Sequence, residues 1–325
     1  MSFTPSLESV LARRHAAICR AVTPLPGSQP RDHFKPLDIP GECDGLNLLA
    51  ALQRIVGNVS AAGWLAEIAG GRVVNLSGVP VAATQMVRAG QRYRHLFPGV
   101  TEPEVNGAVE ILHEDEVLIV VNKPAPLPMH AGGRFYQNTL QYILNQAYHP
   151  QVPRPAHRLD ANTTGLVLVA RARLYAGRLQ AQFAQGRVEK TYLVRVPGPL
   201  PANDFYCDAP ISAGAGAGCS RIIDLEKGLA ARTEFRVLRR FADGTNLLEA
   251  RPLTGRTNQI RVHLWHLGFP VCGDGIYLPG RKLGRTQTLA PGDPPLCLHA
   301  AEVRFLHPMS LEPIEFTAPV PVWAK

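Results

Sequence analysis

The apolar positions divide the chain into stretches with different periods. Between residues 38 and 100 they recur at helical spacing: Leu46, Leu49, Leu52 and Val56 fall on one stripe, and a second short helix is predicted over 60–69, ended by Gly70-Gly71. Residues 72–81 then read as a strand, a polar turn at Ser77-Gly78 and a second strand. From Val109 onward short apolar runs take over. Residues 117–121, closed by Asn122-Lys123-Pro124, and residues 165–170 are continuous enough for strands buried on both faces. A helix is predicted over 173–185, with Tyr175, Leu179 and Phe183 on one stripe and Gly186 at its C-terminal end. Residues 191–196 alternate as a strand, and 233–238 with 246–253 look like a pair. Ile260, Leu264 and Leu267 mark a last helix that Thr257 can cap and Gly268 closes.

This order predicts an α+β protein whose larger part is built on a large, mostly antiparallel mixed sheet with flanking helices and loops. Four segments follow. Residues 1–37, with a short helix and then Pro24, Pro26, Pro30 and Pro36, read as an N-terminal arm; 38–100 as a small α+β domain; 101–108 as a linker; and 109–325 as the main domain. A chain of 325 residues has no difficulty burying a core of that size.

Charge adds a direction. The 34 Lys and Arg exceed the 26 Asp and Glu, a net charge of +8, which favours a polyanionic partner. Residues 109–325 hold 24 basic against 18 acidic residues, so most of the excess lies there. The six cysteines contain no Cys-x-x-Cys pair in a chain far larger than a disulfide-stapled module, which predicts a reducing cytoplasm. The first 14 residues carry Glu8 and no continuous apolar core, so neither signal peptide nor anchor is expected. No uncharged apolar run approaches the roughly 20 residues of a membrane span.

Three stretches carry candidate chemistry. His157-Arg158-Leu159-Asp160 lies in a predicted loop feeding a buried strand, an arrangement in which a rigid sheet edge positions reactive groups. Asp160 is either such a group or a turn residue satisfying nearby backbone amides. Tyr192, in Lys190-Thr191-Tyr192-Leu193, shares a strand face with Val194 and Val196: it is either a core tyrosine or a ring at the edge of a pocket. Arg261 adjoins the buried stripe of the last predicted helix, and a guanidinium there requires an acidic partner from elsewhere in the chain. His263 and His266, three apart with no third ligand in view, read as structural rather than metal-binding.

Together, H-R-L-D-x-x-T-x-G, K-T-Y-L-x-x-V and T-G-R-T-x-Q-I-R-x-H, in this order and with Asn122-Lys123-Pro124 and Leu298-His299-Ala300, resemble the motifs of the RluA-type pseudouridine synthases from about Val109 to the C-terminus. The resemblance implies the pseudouridine synthase fold and isomerisation of uridines in RNA, ribosomal or else transfer RNA. It implies Asp160 as the catalytic aspartate, Arg261 as its basic partner, Tyr192 as the ring against the target base, and Arg158 in the space vacated when the uridine is turned out. An isomerisation involves neither redox change nor hydrolysis, so no cofactor and no metal are expected, and a monomer is the default. Thr164 stands where this family usually has Ser, and Asn258 where it usually has His. Residues 38–100 resemble a degenerate alpha-L RNA-binding domain through Gly71-Arg72-Val73-Val74-Asn75, with Ser60-Ala61 and Gly90-Gln91 as departures.

Overall fold

Helix α1 (Leu7–Val22) begins at Ser6, whose hydroxyl accepts the Ser9 amide, in a computed structural model that describes residues 6–214, 220–285 and 288–325. Cys219 and the first five residues of the N-terminal stretch read above lie outside the described residues. The chain divides into two units: Gly27–Glu102 is one, and the remainder, α1 included, is the other. The stretch read as an arm is thus shared between them. Ile18 of α1 joins the core of the larger unit, and Arg14 donates to Glu114, a side chain only 3 % exposed that also takes Arg171 and the Tyr148 hydroxyl.

In the smaller unit β1 (Arg31–Asp38) lies at the edge of a three-stranded sheet, where Pro36 removes no needed ladder bond. Helices α2 (Leu48–Ile55) and α3 (Ala61–Ala69) start at Asn47 and Ser60, whose side chains accept the Ala50 and Gly63 amides. They pack Leu48, Leu52 and Trp64 against β2 (Val73–Asn75) and β3 (Arg92–Val100). The predicted hairpin over 72–81 is only half formed. Asn75 closes the turn by accepting the Ser77 and Val79 amides, but the return segment makes one isolated bridge at Pro80, which has no N–H to offer, and β2 takes β3 as its main partner.

The larger unit is one ten-stranded mixed sheet with helices, as the sequence predicts. Its strands are β4 (Glu110–Glu114), β5 (Leu118–Lys123), β6 (Arg154–Pro155), β7 (Thr164–Ala170), β8 (Glu189–Pro197), β9 (Asp204–Cys207), β10 (Thr233–Arg240) and β11 (Thr245–Pro252). After the outlying pair β12 (Tyr277–Leu278) and β13 (Lys282–Leu283) come β14 (Leu298–Leu306) and β15 (Pro313–Thr317). The helices are α4 (Leu140–Ala147), α5 (Arg173–Ala184) and α6 (Gln259–His266). Strand order runs β4-β5-β7-β14-β8-β11-β10-β9, so β14, late in the chain, lies between the two motif-bearing strands β7 and β8. All its ladders are antiparallel except the short β7–β14 contact, where His299 pairs with Thr164 and Ala300 with Gly165. At that crossing Gly165 has φ 109°, and a Cβ on it would collide with the Ala300 backbone. Among the described residues no helix is long and apolar enough to cross a membrane.

Candidate active site

The loop between β6 and β7 is held from below by Lys123. Its ammonium, fully buried, donates to the carbonyls of Pro124 and Leu127 at 2.9 Å and of Ala161 at 3.1 Å. Burial brings its pKa down to about 7, against the opposing influence of the Asp160 charge. His157 fixes the other end: Nε2 accepts the Leu168 amide at 3.0 Å and the ring packs on Phe183. An Nε2 that accepts must be unprotonated, and burial followed by the Lys190 charge lowers this imidazole to about 4.

Between these supports stands Asp160. Its backbone carbonyl accepts the Thr163 amide, so the turn is made by the main chain and the carboxylate is left to point elsewhere. Oδ2 meets Arg261 Nη1 at 2.9 Å, with the Asp160 side chain 24 % exposed and that of Arg261 only 4 %. The guanidinium does not rely on Asp160 alone. Nε and Nη2 grip Asp274 at 2.7 and 2.8 Å, a carboxylate with no exposed surface, and Nη1 also lies 3.3 Å from Asn258 Oδ1. Arg261 is thus the junction of two acids, one sealed in the protein and one open to the cleft.

Asp274 was not singled out in the sequence. It stands in Gly273-Asp274-Gly275, a turn signature outside all three motifs, and its Oδ1 also accepts the Ile276 and Tyr277 amides. Gly273 has φ 77°, and a Cβ there would strike the Pro295 carbonyl, so the turn that delivers Asp274 accepts only glycine at that position.

The start of α6 differs from the sequence reading. Thr257 does not cap it. Asn258 takes the N-cap position in the left-handed region, φ 57° and ψ 17°, without a side-chain cap; its amide instead spans Arg261 and the Tyr277 hydroxyl, to which Nδ2 donates at 3.1 Å. Gln259 Oε1 accepts the Arg256 amide and the Thr254 hydroxyl, bonds that hold the loop leading into the helix. His263 is a satisfied core residue, between the Thr233 hydroxyl and the Ala209 carbonyl, and no group of three or more metal-capable side chains occurs among the described residues.

Tyr192 lies on β8 opposite Ala300 and Ala250, whose small side chains leave its ring partly uncovered. Burial, then the Asp160 charge, pushes its phenol pKa up, so it is a neutral hydroxyl. Arg158 is exposed at the mouth. These four residues, Arg158, Asp160, Tyr192 and Arg261, line one cleft of about 510 Å³, bounded opposite by Thr254, Arg256 and Asn258. That volume is in the range of small-molecule pockets. An ionised carboxylate, a counter-ion locked by a second acid, and an uncharged aromatic ring suit nucleophilic chemistry on a planar heterocycle.

Comparison with known proteins agrees with the motifs. The RNA pseudouridylate synthase family profile matches residues 117–266. The chain is 34 % identical over 307 residues to a ribosomal large subunit pseudouridine synthase D of Nitrosomonas europaea, spanning 91 % of this chain and 87 % of that one. It is 31 % identical to a dual-specificity RNA pseudouridine synthase RluA of Pasteurella multocida, spanning 67 % and 95 %. Among solved structures, human RNA pseudouridylate synthase domain containing 1 superposes with a TM-score of 0.54 at 27 % identity, over 66 % of this chain and 84 % of that one. Sequence, architecture and cleft converge: the chain belongs to the RluA-type family of RNA pseudouridine synthases and is an isomerase.

Proposed function

We propose that this chain converts specific uridines of ribosomal RNA to pseudouridine, with Asp160 as nucleophile and the target base turned out of its helix into the cleft. The observation that carries the reading is the Asp160–Arg261 contact at 2.9 Å beside Tyr192 in an open cleft. The names of the relatives favour ribosomal over transfer RNA, since the Nitrosomonas protein is named for the large ribosomal subunit.

In this reading the N1–C1′ bond of the uridine breaks, the base rotates against Tyr192, and C5 bonds to C1′, the C5 proton leaving to solvent while N1 takes one up. Attack at C1′, attack at C6 and elimination all use the same ionised carboxylate, and Arg261 supplies its counter-charge. Extruding the base opposes binding by a few kcal/mol, least in loops, and Arg158 fills the space it leaves. The excess positive charge of residues 109–325 offsets that term through phosphate contacts. Residues 109–325 carry the reaction without a cofactor, residues 38–100 form an accessory domain, and the protein acts as a cytoplasmic monomer.

The test is tritium release from RNA carrying 5-tritiated uridine. Wild type is expected to release tritium and leave the strand intact and unchanged in mass apart from the label, whereas Asp160→Ala releases none. Release that survives the substitution defeats the nucleophile assignment, and free uracil or a cut strand defeats the isomerisation.

A further inference from the structure

Lys190 shares the strand face of Tyr192, two residues away and therefore about 7 Å along β8. Both side chains line the cleft. An ammonium has three donors, and among the described residues that of Lys190 makes a single hydrogen bond, to the Thr254 carbonyl at 3.2 Å. No carboxylate lies within ion-pair distance among the described residues, and burial alone acts on the group, lowering its pKa. Its titratable neighbour His157 is uncharged, because Nε2 accepts the Leu168 amide.

Four other covered cations of the larger unit are compensated. Arg261 has two carboxylates, Arg14 and Arg171 share Glu114, and Lys123 is surrounded by three carbonyls. Lys190 alone among these combines a covered stem, unused donors and an opening into the cleft. A cation held in that way is unfavourable unless an anion arrives to meet it. Arg158 and Arg256 line the same cleft, so the potential around it is positive.

We propose that Lys190 is a phosphate-binding residue, taking the RNA phosphodiester that flanks the uridine whose base lies against Tyr192. This rests on the RNA reading given above. The spacing fits: a base on Tyr192 leaves its own backbone within reach of a donor one strand repeat away on the same face, while Asp160 faces the sugar from the adjoining loop.

The probe is a uridine-containing RNA hairpin, its affinity measured against salt concentration for wild type, Lys190→Met and Lys190→Arg, alongside steady-state conversion. Lys190→Met is expected to weaken binding about tenfold and to reduce the slope of log affinity against log salt by about 0.7–0.9, with the loss in KM rather than kcat. Lys190→Arg restores the slope. Asp160→Ala, by contrast, abolishes conversion and keeps the slope. A Lys190→Met protein with wild-type slope, or with its loss confined to kcat, overturns the subsite. Acetylation of Lys190 in the wild type, followed by mass spectrometry, tests the same contact without a substitution: bound RNA is expected to protect it, and equal labelling with and without RNA overturns the proposal. Wild-type binding that does not respond to salt sinks the RNA reading together with the subsite, whereas a normal wild-type response with an unaffected Lys190→Met response removes the subsite alone.

Discussion

Arg261 holds Asp274 with two nitrogens and Asp160 with one, so the acid exposed to the cleft is the more weakly tethered of the two. Asp274 aims the guanidinium, and the guanidinium in turn fixes where the Asp160 carboxylate rests. A parallel fork onto the buried acid leaves one Nη1 edge free for the cleft.

This arrangement separates stability from activity. Asp274→Asn leaves a buried guanidinium without its sealed counter-ion and is expected to destabilise the protein by about 3–5 kcal/mol. Urea unfolding measures it, and a loss below about 1 kcal/mol would remove Asp274 from its anchoring role.

Asp160→Ala has the opposite signature. It takes away one of two acids from a single guanidinium at a site partly open to water, so unfolding free energy is expected within about 1 kcal/mol of wild type while turnover is lost. Arg261→Lys keeps the charge and loses the fork, and a displaced carboxylate is expected to lower kcat/KM about a hundredfold. An Arg261→Lys enzyme with wild-type kcat/KM would show that charge alone suffices.

Acid should unfold the protein through its neutral histidines. His157 and His299 titrate near 4 when folded, both lowered from 6.5, first of all by burial. Between about 6.5 and 4 the unfolded chain therefore binds protons that the folded chain refuses. Stability is full above about 6.5, falls as pH drops through this window, and changes no further from these two groups below 4, each contributing about 3 kcal/mol. Urea midpoints at pH 7, 5 and 4 follow the decline, and His157→Gln is expected to flatten it. An unflattened curve would place the proton uptake elsewhere.

Asn258 joins a backbone requirement to a side-chain one. At φ 57° a β-branched residue is strained, so Asn258→Val is expected to destabilise the fold by about 1–3 kcal/mol, whereas Asn258→Gly accepts the geometry. Asn258→Gly still loses the amide between Arg261 and Tyr277, so its kcat should fall although its melting temperature holds. Equal kcat for Asn258→Gly and wild type would make that amide a bystander.

Much of this was legible in the sequence, for identifiable reasons. β5 and β7 are buried on both faces and declare themselves as unbroken apolar runs, and Arg261 announced its need for an acid by adjoining a buried stripe. The second acid did not, because Asp274 arrives on a turn whose only sign is two flanking glycines. β1 was read as arm because Pro36 masks a strand, a masking that an edge position permits. Thr257 looked like a cap because its type suits one, but the left-handed turn at Asn258 sets the helix start one residue later. Local patterns report local burial. They say nothing about which distant turn will be brought under a helix.

Ala300 touches both halves of the site at once, paired with Gly165 on one side and Tyr192 on the other. The strand that carries it is made after every residue assigned a part in the chemistry, yet it enters the middle of the sheet. A growing chain that has already produced Asp160, Tyr192 and Arg261 still lacks the element that sets the first two side by side. The site is therefore incomplete until synthesis has passed β14, and its closing is a long-range event, dependent on order of assembly rather than on any helix or hairpin that could form early.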